Sequence, residues 1–380
     1  MRVLFVNHMG FLGGGEQSML TLMDGLREDG RHQIFLLAQP GELIQKSQYL
    51  GFSCFEYLFA GIKRTVNPFN WLIGFLRFWS GVRHIKSIII NSNIDIVHAN
   101  SLKAAIMGGL ALKRTRGALV FHTRDFLPAG IWRKALVNWA YKLSDRIIAN
   151  SKSVAGVYGA DPGRKVSVVY NYVDPPILPI GREPKDIRAE NGCPVNAPLI
   201  GYSGRLHQAK GLETLLAGFK QILNVLPGAK LWIVGGAMPG EERYTENLKK
   251  MVEKMEITDS VKFFGWRGDA MKLMSCFDVL AVPSQKEPFG RVTVEAMLLG
   301  VPVVATASGG TLEIIEDNRT GMLFNPGDHQ GLAENILNLL KDPVLKKEMT
   351  VRAKNEALKR FGKRQYIMGV ESVYDSLAGK

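Results

Sequence analysis

Two carboxylates, Glu287 and Glu295, stand eight residues apart in the segment Glu287 to Gly310, EPFGRVTVEAMLLGVPVVATASGG. The first is followed by Pro288 and Gly290, which together mark a loop whose backbone amides are free to meet a ligand. The second falls within an apolar run, Val292 to Leu299, that reads as a helix ended by Gly300 and Pro302. The buried strand Val303 to Ala305 then leads to Ser308-Gly309-Gly310 and another helix from Thr311. Strand, glycine turn and helix N-terminus form an anion cradle in principle, because the first amides of a helix lack intrahelical acceptors. Carboxylates beside such a cradle suit sugar hydroxyls rather than phosphate, so the segment reads as a site for a molecule both phosphorylated and polyhydroxylated.

Positive charge comes from Arg205 and Lys210, which follow the apolar run Leu199 to Tyr202. Lys210-Gly211 opens the helix Leu212 to Leu223, and a lysine there opposes the macrodipole by a few tenths to about 1 kcal/mol. A bound anion would repair that mismatch; a solvated surface lysine is the other reading. His122 ends the strand Ala118 to Phe121 in the string His122-Thr123-Arg124-Asp125, at the strand end where open sheets bind ligands. Gly13, Gly14 and Gly15 lie between the strand Arg2 to Val6 and a helix expected over Gln17 to Leu26. They admit a ligand to the backbone or simply allow a tight helix entry. Their spacing is not the dinucleotide fingerprint, and no acidic ribose reader follows the second strand at Ala38-Gln39-Pro40, which argues against NAD.

The elements that must position these residues recur as short apolar runs, each followed by a turn and a helical pattern. Arg2 to Val6, Gln33 to Ala38, Asp95 to His98, Ala118 to His122, Arg146 to Ala149 and Val166 to Tyr170 make one set. Leu199 to Tyr202, Lys230 to Val234, Val261 to Phe264, Val279 to Val282, Val303 to Ala305 and Met322 to Phe324 make a second. Continuous Val/Ile/Leu runs alternating with helices mean parallel sheets covered on both faces, hence an α/β protein of two doubly wound, Rossmann-like domains facing each other across a cleft. Prolines crowd the interval from Pro175 to Pro198. This places an N-terminal domain at 1–178, a linker at 179–194 and a C-terminal domain at 195–362.

Of 380 residues, 46% are hydrophobic and 22% charged, an ordinary globular balance that excludes extended disorder. Lys and Arg number 48 against 35 Asp and Glu, so the surface field attracts anions without choosing among nucleotides, nucleic acid and anionic lipid. Cys54, Cys193 and Cys276 are scattered with no C-x-x-C, which argues for reduced thiols and against structural zinc. The apolar run Val3 to Val6 is too short for a signal peptide and no run is long enough to span a bilayer, so a cytoplasmic protein is expected. The stretch Ile62 to Lys86 mixes Trp71, Leu72, Phe75, Phe78 and Trp79 with Lys63, Arg64, Arg77, Arg83 and Lys86, and Trp132, Arg133, Lys134 and Trp139 form a smaller analogue. Such helices either lie on an anionic membrane at its inner face or pack their aromatic side into the core.

Glu287 and Glu295 in their E-x7-E string, followed by the Gly-Gly turn, resemble the signature of the retaining glycosyltransferases of family 4, which have the two-domain GT-B fold. The resemblance implies that Arg205 and Lys210 hold the donor diphosphate and that Glu295 binds the ribose. Glu287, with the amides around Phe289 and Gly290 and continuing into Arg291 and Val292, holds the sugar. It implies that His122 faces the donor sugar, and that the base rests against Gly265, Trp266 and Arg267, with Trp266 either stacked on it or part of the core. Gly13 to Gly15 join the donor site, and the last helix, within 363–380, returns to the first domain. Asn150-Ser151-Lys152-Ser153 and Asn171-Tyr172-Val173-Asp174 also resemble the family, with Tyr172 where glycine is usual.

The function so implied is transfer of a hexose-like sugar from a nucleotide diphosphate sugar, UDP foremost, to an acceptor hydroxyl with retention. A carbohydrate or lipid-linked acceptor in polysaccharide or glycolipid synthesis suits the basic aromatic helices. No D-x-D occurs, so neither metal nor other cofactor is expected. The other readings are a sugar-nucleotide epimerase of the same fold, a phosphorylase, and a basic membrane or nucleic-acid-binding module.

Overall fold

The computed structural model describes residues 1–59, 68–126, 131–159, 165–175 and 183–378, with the backbone alone for 68–71 and 131–134. Two compact units result, Met1–Tyr172 with Lys363–Lys380, and Val173–Gly362.

Unit 1 is built on seven parallel strands: β1 (Arg2–Val6), β2 (Gln33–Ala38), β3 (Ser53–Glu56), β4 (Ile96–Ala99), β5 (Ala118–Thr123), β6 (Arg146–Ala149) and β7 (Val166–Val168), in the order β3-β2-β1-β4-β5-β6-β7. Its helices are α1 (Gly14–Glu28), α2 (Glu42–Tyr49), α3 (Pro68–Asn91), α4 (Leu102–Ala111), α5 (Ile131–Leu143) and the short α6 (Lys152–Ala155). Successive side chains of β1 go to opposite faces. Leu4 and Val6 join Leu37, Ile85, Ile89 and Met107, while Val3 and Phe5 join Met19, Leu22 and Met23. β3 has no apolar run to announce it, because this edge strand leaves Ser53 and Glu56 exposed.

Unit 2 has six parallel strands: β8 (Leu199–Ser203), β9 (Lys230–Val234), β10 (Val261–Gly265), β11 (Val279–Val282), β12 (Val303–Thr306) and β13 (Met322–Phe324), in the order β10-β9-β8-β11-β12-β13. Its helices are α7 (Pro184–Glu190), α8 (Leu212–Val225), α9 (Glu242–Lys254), α10 (Ala270–Met274), α11 (Arg291–Leu299), α12 (Thr311–Ile314), α13 (His329–Lys341) and α14 (Pro343–Arg360). In each unit the strand order reverses beside the first strand, between β1 and β4 and between β8 and β11. Crossover connections leave in opposite directions there and open a crevice at the carboxyl edge of the sheet, the position at which such sheets take ligands.

The expected linker at 179–194 is corrected in its described part. α7 packs onto unit 2 with Ile187 buried, and the Arg188 guanidinium donates to the Asp278 carboxylate (2.9 Å) and the Cys276 carbonyl (3.0 Å). Proline clustering signalled irregular backbone, whereas one arginine with five donors decided which unit holds it. The boundary lies at 172/173 rather than 178.

The last helix, α15 (Lys363–Asp375), belongs to unit 1: Tyr366, Val370, Val373 and Tyr374 are buried against α1 and the sheet face carrying Phe5. Each such side chain contributes about 1.5–3 kcal/mol of transfer free energy. Among the described residues no helix is long and apolar enough to cross a membrane.

Candidate active site

In unit 2 the loops after β8 and β11 flank the switch point and are tied together by the Gln285 amide, which donates to the Ala209 carbonyl (2.9 Å). Lys210 and Glu287 meet across this junction, Nζ to Oε2 at 2.7 Å, with side chains 29% and 11% exposed. Arg205 is bound elsewhere: its Nη2 donates to Glu241 at 2.6 Å and its Nε at 3.1 Å, and this hydrogen-bonded guanidinium holds the Glu241 carboxyl below its usual range. Each of the two cations expected at this strand end thus has a carboxylate partner. The buried Tyr202 hydroxyl donates to the Arg205 carbonyl at 2.8 Å, and burial first, then the Glu287 charge, keeps it protonated well above the usual phenol range.

Gly290 caps α11 with φ of 104°, a left-handed conformation open to glycine at little cost. α11 thus begins at Arg291, and its first turn includes Val292. Arg291 Nε donates to Glu295 Oε1 at 2.8 Å, one turn along the helix, and burial raises the Glu295 carboxyl despite that partner. The Phe289 side chain is core, edge-on to Phe361 at 5.6 Å.

The anion cradle expected at Gly309-Gly310 is corrected as well. Gly309 has φ of 60°, and a Cβ there would fall 2.2 Å from the Glu287 carbonyl oxygen. The Gly310 amide donates to that same carbonyl at 2.7 Å, and α12 beyond it is only four residues long. The Gly310 amide is thus spent on the glutamate loop, and Gly309 lies too close to that loop's backbone for any side chain.

Trp266 is resolved from its two readings: it is 61% exposed, so it is not core. Its Nε1 donates to the Ala237 carbonyl at 3.1 Å and its ring covers Gly236. Gly265 turns the chain at φ of 68°, and Arg267 is held by Asp269 at 2.7 Å.

In unit 1, Gly14 and Gly15 prove to be the first residues of α1 rather than a loop before it, with Gly13 as the cap, its amide donating to Glu16 Oε2 at 3.1 Å. His122 is fully buried, its Nδ1 3.1 Å from His98 Nε2, and His98 Nδ1 is 2.7 Å from the Tyr374 hydroxyl. Burial first, and the Arg124 charge second, hold both imidazoles well below their ordinary range and hence neutral. His122 Nε2, Arg124 Nε and Nη1, and the side-chain oxygens of Asn150 and Asn171 are enclosed and without a described partner. Of α3, Val82, Ile85 and Ile89 are core, whereas Leu72, Phe75, Leu76 and Trp79 form an exposed apolar ridge beside the exposed Arg77 and Arg83. The aromatic side is thus not packed into the core, and of its described Phe and Trp rings only Phe78 rests partly against it; Trp71, Trp132, Arg133 and Lys134 lie outside the described side chains.

Residues 12–176 match the family model Glycosyltransferase Family 4, and residues 184–360 match Glycosyl transferases group 1. This chain is a glycosyltransferase of the family 4 type. It is 28% identical over 74% of its length, and 74% of the relative's, to an N-acetyl-alpha-D-glucosaminyl L-malate synthase of Bacillus anthracis. It is 29% identical over 59% of its length, and 62% of the relative's, to the lipopolysaccharide core biosynthesis glycosyltransferase LpsE of Rhizobium meliloti. Its fold follows that of Anabaena Alr3699/HepE, solved in complex with UDP and glucose, with a TM-score of 0.85 and 26% identity over 99% of this chain and 100% of that one.

Within unit 2 of the glycosyltransferase, Arg205, Lys210, Glu287 and the start of α11 all lie at the carboxyl edge beside the switch point, while Glu295 sits one turn into α11. Sequence reasoning missed Glu241, the carboxylate on Arg205, since nothing in a string 36 residues downstream singles it out.

Proposed function

We propose that this glycosyltransferase moves a hexose from UDP to an acceptor hydroxyl with retention of configuration and without a metal ion. The observation that carries this reading is the partly buried Lys210–Glu287 pair at the switch point of unit 2, which sets a cation for phosphate beside a carboxylate for sugar hydroxyls. The UDP and glucose bound by Alr3699/HepE favour that donor, and the names of the synthase and of LpsE favour a sugar or small hydroxylated molecule as acceptor.

The chemical demand is a leaving diphosphate that gains charge as the glycosidic bond breaks, met by preorganised cations and amides rather than by a covalent step. Lys210, Arg205 and the first amides of α11 at Gly290, Arg291 and Val292 answer it. Exposed ion pairs are worth little, so a diphosphate takes Arg205 from Glu241 readily. Glu287 accepts from the sugar hydroxyls, Glu295 from the ribose, and Trp266 with Gly265 and Arg267 meets the base. On unit 1, His122 and the Gly13 to Gly15 turn meet the transferred sugar. The acceptor hydroxyl forms the new glycosidic bond on the face the diphosphate leaves, and its proton passes to the departing phosphate oxygen.

Melting curves with UDP, GDP, ADP, dTDP and their sugars test the reading against an Arg205→Ala, Lys210→Ala variant. Stabilisation by UDP that the variant loses supports it; no response to any nucleotide sinks it. Release of a new nucleotide sugar without acceptor would favour an epimerase.

The ridge Leu72, Phe75, Leu76 and Trp79 with Arg77 and Arg83 extends the proposal to peripheral contact with an anionic membrane from its cytoplasmic side. Vesicles with anionic lipid should sediment the protein at low salt, and Phe75→Ser, Trp79→Ser should release it.

A further inference from the structure

Arg124 is a buried cation without a counter-charge among the described residues. It is 8% exposed, its Nη2 donates to the Tyr366 hydroxyl at 2.9 Å, and its Cδ lies 3.6 Å from where a side chain on Gly15 would begin. Its Nε and Nη1 are enclosed and bond to nothing described, and among the described residues no carboxylate pairs with it. A guanidinium cannot shed its proton in a protein, so burial without an anion is a standing cost that only a negative ligand removes. The amino end of α1, at Gly14 and Gly15, adds positive potential on the side where the arginine stem rests.

The neighbouring donor is fixed by a chain of hydrogen bonds. The fully buried Tyr374 hydroxyl has His98 Nδ1, at 2.7 Å, as its described acceptor. With that hydroxyl as donor, His98 carries its proton on Nε2 and donates to His122 Nδ1, at 3.1 Å, which leaves the His122 proton on Nε2. His122 and Arg124 both pack on Tyr366, whose ring centroid is 6.3 Å from that of His122. Two residues of extended chain separate them, roughly 6–7 Å along the strand end.

We propose that unit 1 carries an oxyanion subsite on Arg124 that takes an acidic group of the acceptor, a carboxylate or a phosphate monoester placed close to the hydroxyl that receives the sugar. This rests on the reading above, in which His122 meets the transferred sugar and the cations of unit 2 answer the donor diphosphate. A neutral acceptor would leave Arg124 as it stands, unpaired; a hydroxylated acid fills it.

Thermal melting with inorganic phosphate and with malonate, each alone and on top of saturating UDP, tests this in the wild type, Arg124→Gln and Arg124→Lys. The expected result is stabilisation of the wild type by one or both probes, additive with that of UDP, lost in Arg124→Gln and partly kept in Arg124→Lys, while both variants keep the UDP response. The unliganded Arg124→Gln protein should melt no lower than the wild type, because the unpaired charge is gone. A probe effect that vanishes under saturating UDP would assign Arg124 to the donor and overturn the proposal. So would an effect retained in Arg124→Gln, no effect in the wild type, or a marked loss of stability in the unliganded variant. Failure of UDP alone to stabilise would instead strike the donor reading and leave the oxyanion result to stand by itself.

Discussion

Lys210 Nζ donates to Glu287 Oε2 across 2.7 Å, joining residues 77 apart in the chain at the point where the strand order of unit 2 reverses. Because the pair is largely enclosed, removing the lysine strands a carboxylate. Lys210→Met should melt lower than the Lys210→Met, Glu287→Gln double variant. Each single change should lower kcat/KM by roughly 10²–10³, with the double variant far from the product of the two. Steady-state kinetics with all three proteins read this directly, and additive losses would mean that the two side chains act independently.

Glu241 holds the Arg205 guanidinium, so on the proposed reading it is a rival of the donor diphosphate. Glu241→Gln should therefore tighten UDP binding several-fold, whereas Arg205→Ala should weaken it by about tenfold or more, the worth of a hydrogen bond between charged groups. Calorimetric titration compares them; weaker binding in Glu241→Gln would make Glu241 a support for Arg205 instead of a rival.

Trp266 offers a free ring face. Trp266→Ala should raise KM for the donor about 5- to 160-fold, as expected when roughly 1–3 kcal/mol of base stacking is lost. The melting temperature should hardly move, since the ring is 61% exposed. An unchanged KM would remove the base from this loop.

His98 and His122 are neutral in the folded chain, with basicity depressed first by burial and then by Arg124. Unfolding restores the ordinary value near 6.5, so as pH falls the unfolded chain takes up protons first. Their contribution is complete above about pH 6.5 and is lost below it, by up to ~1.4 kcal/mol per pH unit for each. His8 and His32, lowered chiefly by burial, act in the same direction. Urea midpoints at pH 7.5 and 5.5 should differ clearly in the wild type and less in His98→Gln; equal slopes would show that the imidazoles are charged in the fold.

Much of the fold was legible because parallel strands buried on both faces must be apolar throughout, as in Val303 to Ala305 or Ile34 to Ala38. β3 escaped because an edge strand alternates too weakly to be seen over four residues. At the site, Glu287, Lys210 and Arg205 were visible as charges at strand ends, but their partners were not. Whether Arg205 faces Glu241 and whether Gly310 spends its amide on the Glu287 carbonyl are decided by which loops the sheet brings together. The Gly-Gly turn shows the limit most plainly: its composition fits an anion cradle and a loop lock equally well, and a 2.2 Å clearance chooses.

The passage of α15 back to unit 1 also orders events in time. Val173–Gly362 is an insertion within the other unit, complete in sequence before the last helix is made. During synthesis unit 2 can close its core first, while the older unit 1 waits, its face around Phe5 and Met19 uncovered until Tyr366 and Tyr374 leave the ribosome. A chain cut short after Gly362 would keep every proposed contact to the nucleotide in unit 2 and lose the hydroxyl that orients His98.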